Sequence, residues 1–106
     1  MNIQKMMKQA QEMQNRIAEM QKRMEEEETE GSSGGGSVKI LLSGKNQLLK
    51  VSIDEGLLKA EDKEMLEDLI VAAHNDARTK MDNTFSERMS AVTAGLNLPP
   101  GFKLPM

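Results

Sequence analysis

The sequence predicts an α+β fold in which two long helices flank a small antiparallel sheet. Three observations indicate this class. Apolar residues recur at helical spacing near the amino terminus and again over residues 63–94. Two short stretches between these segments alternate apolar with polar residues, as strands with one buried face do. Glycines and serines over residues 31–37 separate the first helix from the strands, because glycine disfavours a helix.

The first helix is predicted over residues 3–27. Its apolar residues alternate between spacings of three and four without a break, which is typical of a helix that packs along a partner helix. They are Ile3, Met6, Ala10, Met13, Ile17, Met20 and Met24. Such a helix reaches roughly 35 Å, more than a small body covers, so we expect part of it to protrude. We also expect Met13 and Ile17 to pack near Met81 and Phe85.

The sheet is predicted over residues 29–53, as a hairpin preceded by a weakly encoded first strand. The hairpin strands carry apolar residues at every second position: Val38, Ile40 and Leu42, then Leu49, Val51 and Ile53. Gly44–Asn46 lies between them and favours a turn. Leu41 and Leu48 are apolar on the opposite, otherwise polar face. We therefore predict that a second copy of the chain buries these two leucines in an isologous dimer.

The second helix is predicted over residues 63–94. Glu61 and Asp62 precede it, where negative charge stabilises the helix dipole, and Gly95 favours termination. Its apolar stripe comprises Leu66, Leu69, Ile70, Ala73, Ala77, Met81, Phe85, Met89 and Val92. The tail over residues 96–106 contains three prolines and is expected to be extended.

The composition argues against several classes of protein. The 106 residues suit one domain over residues 1–106. There is no cysteine and one histidine, His74, so we expect no metal site, no cofactor and no catalytic residues. Two phenylalanines, without Trp or Tyr, do not suit base stacking on single strands. No apolar run is long enough to span a bilayer and no signal peptide is visible, so we expect a cytoplasmic protein without a membrane partner.

The charges are segregated along the chain. The net charge of −3 disfavours nucleic-acid binding on average. However, residues 1–24 carry five basic and two acidic residues, whereas residues 25–30 carry five acidic and no basic residues. Basic residues at the start of a helix are unfavourable for its dipole by about 0.3–1 kcal/mol each, but beside free helix N–H groups they bind anions well. Anion binding explains why the basic residues precede the acidic ones better than selection for helix stability does. The alternative is that the arrangement of solvated surface charges is arbitrary.

Two helices that share one hairpin are expected to run antiparallel. The free end of the first helix, with Lys5 and Lys8, should then lie near Arg88. The acidic end of the same helix should lie near the acidic start of the second, at residues 61–64.

Short segments along the whole chain form an ordered set. They are Met7–Gln11, Met13–Gln14, Gly34–Gly36 before Val38, Ile53–Asp54, Leu57–Leu58, Lys63–Ile70, Ala72–Ala73, Asn75–Ala77 and Leu98–Phe102. No single segment is diagnostic, but the ordered set closely resembles the YbaB/EbfC family of bacterial nucleoid-associated proteins. Two features depart from the family pattern: the chain ends in Met106 rather than Phe, and Glu28–Glu30 lacks an apolar residue in the first strand.

The resemblance implies a tweezer-like homodimer whose helices project from a dimeric sheet and bind double-stranded DNA in the nucleoid. It implies a role in nucleoid organisation or gene regulation. From the residues themselves we expect no enzyme activity and no small-molecule substrate. We expect phosphate contacts from the basic residues Lys5, Lys8, Lys80 and Arg88, and weaker ones from Arg16, Arg78 and Lys103. Few side chains there suit base reading, so we expect low sequence specificity.

Two other classes stay open on the residues alone. A chaperone-like or protein-interaction module could grip apolar segments between Met-lined helices. An enzyme is the third class, and the absence of a nucleophile with a paired base disfavours it. Steep salt dependence of binding would indicate the DNA-binding class, whereas turnover of a substrate would indicate an enzyme.

Overall fold

The computed structural model describes residues 2–95 and confirms the α+β class. Two long helices pack with a three-stranded antiparallel sheet of strand order β1-β2-β3. The elements are α1 (Ile3–Glu25), β1 (Glu28–Ser33), β2 (Val38–Ser43), β3 (Leu48–Ile53) and α2 (Lys63–Gly95), with short 3₁₀ turns at 34–36, 55–57 and 60–62. The tail predicted over residues 96–106 lies outside the described residues.

Helix α1 begins next to Asn2, whose Oδ1 accepts a hydrogen bond from the Lys5 N–H at 3.2 Å. Such an N-cap satisfies one of the free N–H groups of a first turn. The helix ends at Glu25, two residues before the predicted end. The N–H groups of residues 26 and 27 bond to carbonyls three residues earlier, and this tighter turn lets the chain reverse into β1.

Strand β1 forms although it holds no large apolar residue. Gly31 lies so close to α2 that a Cβ atom there would be 2.2 Å from the Ala73 carbonyl oxygen. The neighbouring Ser32 N–H donates to the Asp76 carboxylate at 2.9 Å. Contact with α2 therefore stabilises this strand, and its own β-propensity contributes little.

The core lies between β2 and α2. Val38, Ile40 and Leu42 are fully buried on one face of β2. They pack against the buried α2 residues Ala73, Ala77 and Met81. Both the period-two pattern of β2 and the predicted α2 stripe are confirmed, since every residue of that stripe is buried or half-buried.

The hairpin turn lies against the end of α1. Asn46 has a φ of +66° in this turn, and the Ser43 hydroxyl accepts two turn N–H groups. A Cβ atom on Gly44 would be 1.7 Å from the Met24 carbonyl oxygen. Only glycine allows this approach, which places the predicted turn directly beside the first helix.

Strand β3 departs from the predicted register because a bulge interrupts its pairing with β2. Leu41 lies opposite Lys50, whereas Leu42 lies opposite Leu48, which leaves Leu49 as the extra residue. Directly opposed residues share a face of the sheet. Leu48 therefore belongs to the face of Leu42, and the prediction that Leu41 and Leu48 share one face is wrong.

Helices α1 and α2 run antiparallel, as predicted. Met24 shares a cleft with Met81, and Met20 shares another with Val92. Residue numbers in α2 therefore rise as those in α1 fall. Met13 and Met20 are buried, which confirms the apolar seam along the second half of α1.

The level at which the helices meet differs from the prediction. Met13 and Ile17 were expected beside Met81 and Phe85, yet Met24 lies at the level of Met81. The reason is β1, which lies against the middle of α2 and contacts that helix more extensively than any other single element does. Helix α1 can meet α2 only beyond this strand.

Candidate nucleic-acid interface

The start of α1 presents basic residues on a helix end that protrudes. Lys5 and Lys8 are exposed, and so are the seam residues Ile3 and Met6. Within residues 2–95, neither lysine takes part in an ion pair. Both lie in the first two turns, where free N–H groups and the helix dipole add positive potential. This end has the chemistry of a phosphate-binding surface.

Arg88 lies further from that end than the sequence predicted. Its Nη2 donates a hydrogen bond to Glu27 Oε2 at 2.7 Å. This hydrogen bond raises the pKa of Arg88 and lowers the pKa of Glu27. Glu27 follows the end of α1, roughly 30 Å of helix from Lys5. The prediction that Lys5 and Lys8 lie beside Arg88 is therefore wrong, because α1 meets α2 only beyond β1.

Lys80 is held between α2 and β1. Its Nζ lies 3.1 Å from Asp76 Oδ2 and donates to the Glu30 carbonyl oxygen at 3.2 Å. The Ser32 N–H and, after it, Lys80 lower the pKa of Asp76 by hydrogen bonding. Lys80 thus joins the helix to the strand, and Asp76 already neutralises part of its charge.

Arg16 shares a cleft between the helices with Arg88 and with a third arginine, Arg23. The cleft has a volume of about 320 Å³. Sequence reasoning missed Arg23, although a signal was present. Arg16 and Arg23 are seven residues apart, which is close to two helical turns, so both side chains lie on one face of α1.

The predicted DNA contacts therefore do not form one cluster. Lys5 and Lys8 lie at the free end of α1, whereas Arg16 and Arg88 line the cleft between the helices, further along α1. Arg78 and Lys80 lie on the middle of α2, where Arg78 is half-buried and Lys80 is exposed. Lys103 lies outside the described residues.

The acidic segment after α1 lies beside basic residues. Glu27, Glu28 and Glu30 line a cleft of about 500 Å³ together with Lys80 and Arg88. The expectation that this segment lies beside the acidic start of α2 is wrong. The physical reason is again β1, which runs along α2 and brings the acidic segment to the middle of that helix.

The described residues hold neither a metal-binding cluster nor a membrane-spanning helix. Among residues 2–95, no three His, Asp or Glu side chains are grouped so that they could hold a metal ion. No helix in that range is long and apolar enough to cross a bilayer.

Comparison with known proteins finds relatives along nearly the whole chain. The model of the YbaB/EbfC DNA-binding family matches residues 1–96. A nucleoid-associated protein of Methylocella silvestris is 55% identical over 100 residues, which cover 94% of each chain. Another, from Rickettsia akari, is 48% identical over 104 residues, which cover 98% of this chain and 97% of that protein. The crystal structure of an uncharacterized protein from Helicobacter pylori aligns with a TM-score of 0.60 and 25% identity, covering 71% of this chain and 87% of that one.

Proposed function

The chain belongs to the YbaB/EbfC DNA-binding family, and we propose that it is a nucleoid-associated protein that binds double-stranded DNA as a homodimer with low sequence specificity. Its place of action in this proposal is the nucleoid, within the cytoplasm. The observation that carries the proposal is the exposed pair Lys5 and Lys8 on the protruding start of α1. The names of the relatives support the same role.

The two lysines act through the phosphate backbone. Ammonium groups near a helix N-terminus attract phosphate oxygens without reading the bases. They displace counterions from the duplex, which makes affinity depend on salt. The acidic segment begins 17 residues after Lys8, roughly 25 Å along the helix. Because the Debye length is about 8 Å at physiological salt, DNA at this end is screened from those carboxylates.

Other basic residues make secondary contacts in this proposal. Lys80 and Arg88 are already paired with carboxylates, so each adds less to DNA affinity than a free lysine. Arg78 and Lys103 complete the set that we propose to face the duplex, and Arg16, which shares the cleft between the helices with Arg88, contributes least to it. A dimer that uses four to eight phosphate contacts gives a log–log salt slope of about −4 to −7.

The dimer is proposed to form along β3. This edge strand carries three exposed apolar residues, with Leu48 at 53%, Leu49 at 46% and Val51 at 39% exposure. An exposed apolar edge strand is a surface that a second strand or sheet covers. Leu41 is half-buried on the other face, opposite Lys50, so its part in the interface is tested separately from that of Leu48.

Fluorescence anisotropy tests the function directly. Two unrelated duplexes are titrated at several salt concentrations, with a single strand as competitor. We expect similar affinity for both duplexes, weaker binding of the single strand and the slope given above. Binding that does not depend on salt, or no binding of duplex DNA, would overturn the proposal. Salt-independent binding would favour the peptide-gripping alternative, which the family and the relatives do not favour.

A further inference from the structure

Three arginines converge on the cleft between α1 and α2. Arg16 and Arg23 come from one face of α1, and Arg88 comes from α2. Glu19 is the one carboxylate among the residues that line this 320 Å³ cleft within the described chain, and Glu27 pairs with Arg88 from outside the lining, so three positive charges face two negative ones. Guanidinium groups that come from two facing helices can hydrogen-bond one anion between them.

Arg88 has an unused hydrogen-bonding group. Its Nη2 is held by Glu27 at 2.7 Å, which fixes the guanidinium plane. Its Nη1 is enclosed and has no hydrogen-bond partner among residues 2–95. An enclosed charged donor without an acceptor is unfavourable, and such groups in folded proteins usually have a partner. The accessible donors of the cleft are those of the exposed Arg16 and Arg23, and an anion between the helices reaches the Arg88 Nη1 group once the side chains around it move aside.

The position of the cleft favours a compact anion over a duplex. The acidic run Glu25–Glu28 begins two residues after Arg23, about 3 Å along the helix and well within the Debye length of about 8 Å. A duplex that crossed the cleft would bring its next phosphates against these carboxylates. A small anion could lie among the three arginines, with Glu19 as the lining carboxylate, without extending along the acidic run. The volume lies near the lower end of the range of small-ligand sites, which is roughly 300–1,000 Å³.

We propose that this cleft binds a compact phosphate-bearing anion of the pyrophosphate or nucleoside diphosphate class. The phosphates bridge Arg16 and Arg23 of α1 to Arg88 of α2. The cleft is also lined by Met20 and Val92, which supply apolar surface for the organic part of such a ligand. Because the anion joins both helices, its binding fixes their relative position. The site is separate from Lys5 and Lys8, so the inference does not depend on their contact with DNA.

Calorimetric titration of the full chain with pyrophosphate and with ADP at about 150 mM salt tests the inference. The test variant is Arg16→Gln/Arg23→Gln, and the matched control is Lys5→Gln/Lys8→Gln, which removes the same charge from the same helix. We expect both ligands to bind wild type and the control alike. Each arginine lost should weaken binding about tenfold. All four positions are exposed, so both variants should keep the wild-type circular dichroism spectrum.

A second variant addresses Arg88 itself. Arg88→Lys keeps a positive charge beside Glu27 but removes the guanidinium and its free donors. We expect it to fold and to bind pyrophosphate at least tenfold more weakly than wild type. Three results would overturn the inference: no binding to wild type, equal weakening in the lysine control, or unchanged binding in the arginine variants.

Titration with duplex DNA shows whether the cleft binds a small phosphate-bearing anion or the phosphates of the DNA backbone. We expect the Arg16→Gln/Arg23→Gln variant to lose less DNA affinity than the lysine control. A larger loss of DNA affinity than of pyrophosphate affinity would assign the cleft to the DNA backbone and overturn the small-anion site. Failure of wild type to bind DNA would contradict the proposed function and leave the pyrophosphate result intact.

Discussion

Arg88 of α2 and Glu27, which follows α1, form an ion pair with 2.7 Å between Nη2 and Oε2. The two residues are 61 positions apart in the chain. Their pairing joins the end of the first helix to the second and keeps Arg88 away from the protruding start of α1. The basic residues of this protein consequently fall into separate groups, and each group can be tested by itself.

The first prediction concerns DNA binding. Lys5→Ala/Lys8→Ala should weaken binding to unrelated duplexes alike and make the salt slope shallower by about 2 to 4 per dimer. Lys59→Ala/Lys63→Ala is the matched control, because it removes two exposed lysines near the opposite end of α2. Anisotropy titrations at several salt concentrations measure both. Wild-type affinity and slope in a folded Lys5/Lys8 variant would place the DNA surface elsewhere, with Lys39, Lys45 and Lys50 as the next candidates.

The second prediction concerns the dimer. Leu48→Glu should shift sedimentation from dimer to monomer, because it places charge in the apolar surface of β3. Leu41 lies on the opposite face of the sheet, so Leu41→Glu should leave the dimer intact. Analytical ultracentrifugation distinguishes the two. If Leu41→Glu dissociates the dimer and Leu48→Glu does not, the interface lies on the sheet face that carries Leu41. A monomeric wild type would contradict the dimer altogether.

The third prediction concerns the seam between the helices. Met20 is 7% exposed, so Met20→Asp buries an unpaired charge and should lower the free energy of unfolding by about 3 kcal/mol or more. Met7→Asp is the control, since Met7 is 68% exposed and its substitution should change stability by no more than about 0.5 kcal/mol. Urea unfolding measures both. Equal effects would show that this face of α1 is not packed in solution.

The fourth prediction concerns the contact between β1 and α2. Gly31→Ala would bring a Cβ atom against the backbone of Ala73 and Ala77, and should destabilise the fold by about 1–3 kcal/mol. Gly56→Ala is the control, because the nearest atom to its Cβ is a side-chain oxygen of Asp54 at 3.9 Å. The melting temperatures of the two variants provide the comparison. A Gly31 variant as stable as the Gly56 variant would contradict the close packing of β1.

The fifth prediction concerns pH. The pKa values of Glu27 and Asp76 are lowered in the folded state by hydrogen bonds from Arg88 and from the Ser32 N–H, respectively. When folding lowers the pKa of a carboxyl group, the ionised group stabilises the folded state. This stabilisation is fully present above the pKa of the unfolded chain, about 3.9–4.3, and it is lost as the pH falls through the pKa of the folded state.

Urea unfolding between pH 7 and pH 3 at constant protein concentration should therefore give a free energy of unfolding that falls at the acidic end. Glu27→Gln and Asp76→Asn should each flatten this dependence. Because Glu27 is partly exposed, its share is no more than about 1 kcal/mol. A pH profile unchanged in both variants would mean that neither carboxylate is held by these bonds in solution.

The elements of this fold were predictable because their signals are local. The apolar residues of α1 that recur at spacings of three and four include Met13 and Met20, and both are buried. The period-two pattern of β2 likewise matches its buried face. The basic start of α1 is equally local, so Lys5 and Lys8 could be identified before any contact was known. Arg23 was missed although its seven-residue spacing from Arg16 was visible in the sequence.

Which residues of two neighbouring elements lie side by side was not predictable. Leu48 changed faces because one bulge residue, Leu49, entered the ladder with β2, and no local pattern indicates such an insertion. Arg88 was expected beside Lys5, but it pairs with Glu27 because β1 occupies the middle of α2.

The sequence by itself thus determined the two helices, the hairpin of β2 and β3 and which helix end is basic, since a periodicity of 3.6 or 2 is set by neighbours along the chain, whereas β1 depends on its contact with α2. Only the tertiary structure decided the register of those segments and the grouping of the arginines. Ser32 and Asp76 illustrate the reason: their hydrogen bond, which holds β1 on α2, joins residues 44 positions apart. Contacts of that kind depend on the shape and polar groups of two distant surfaces, and neither segment encodes them alone.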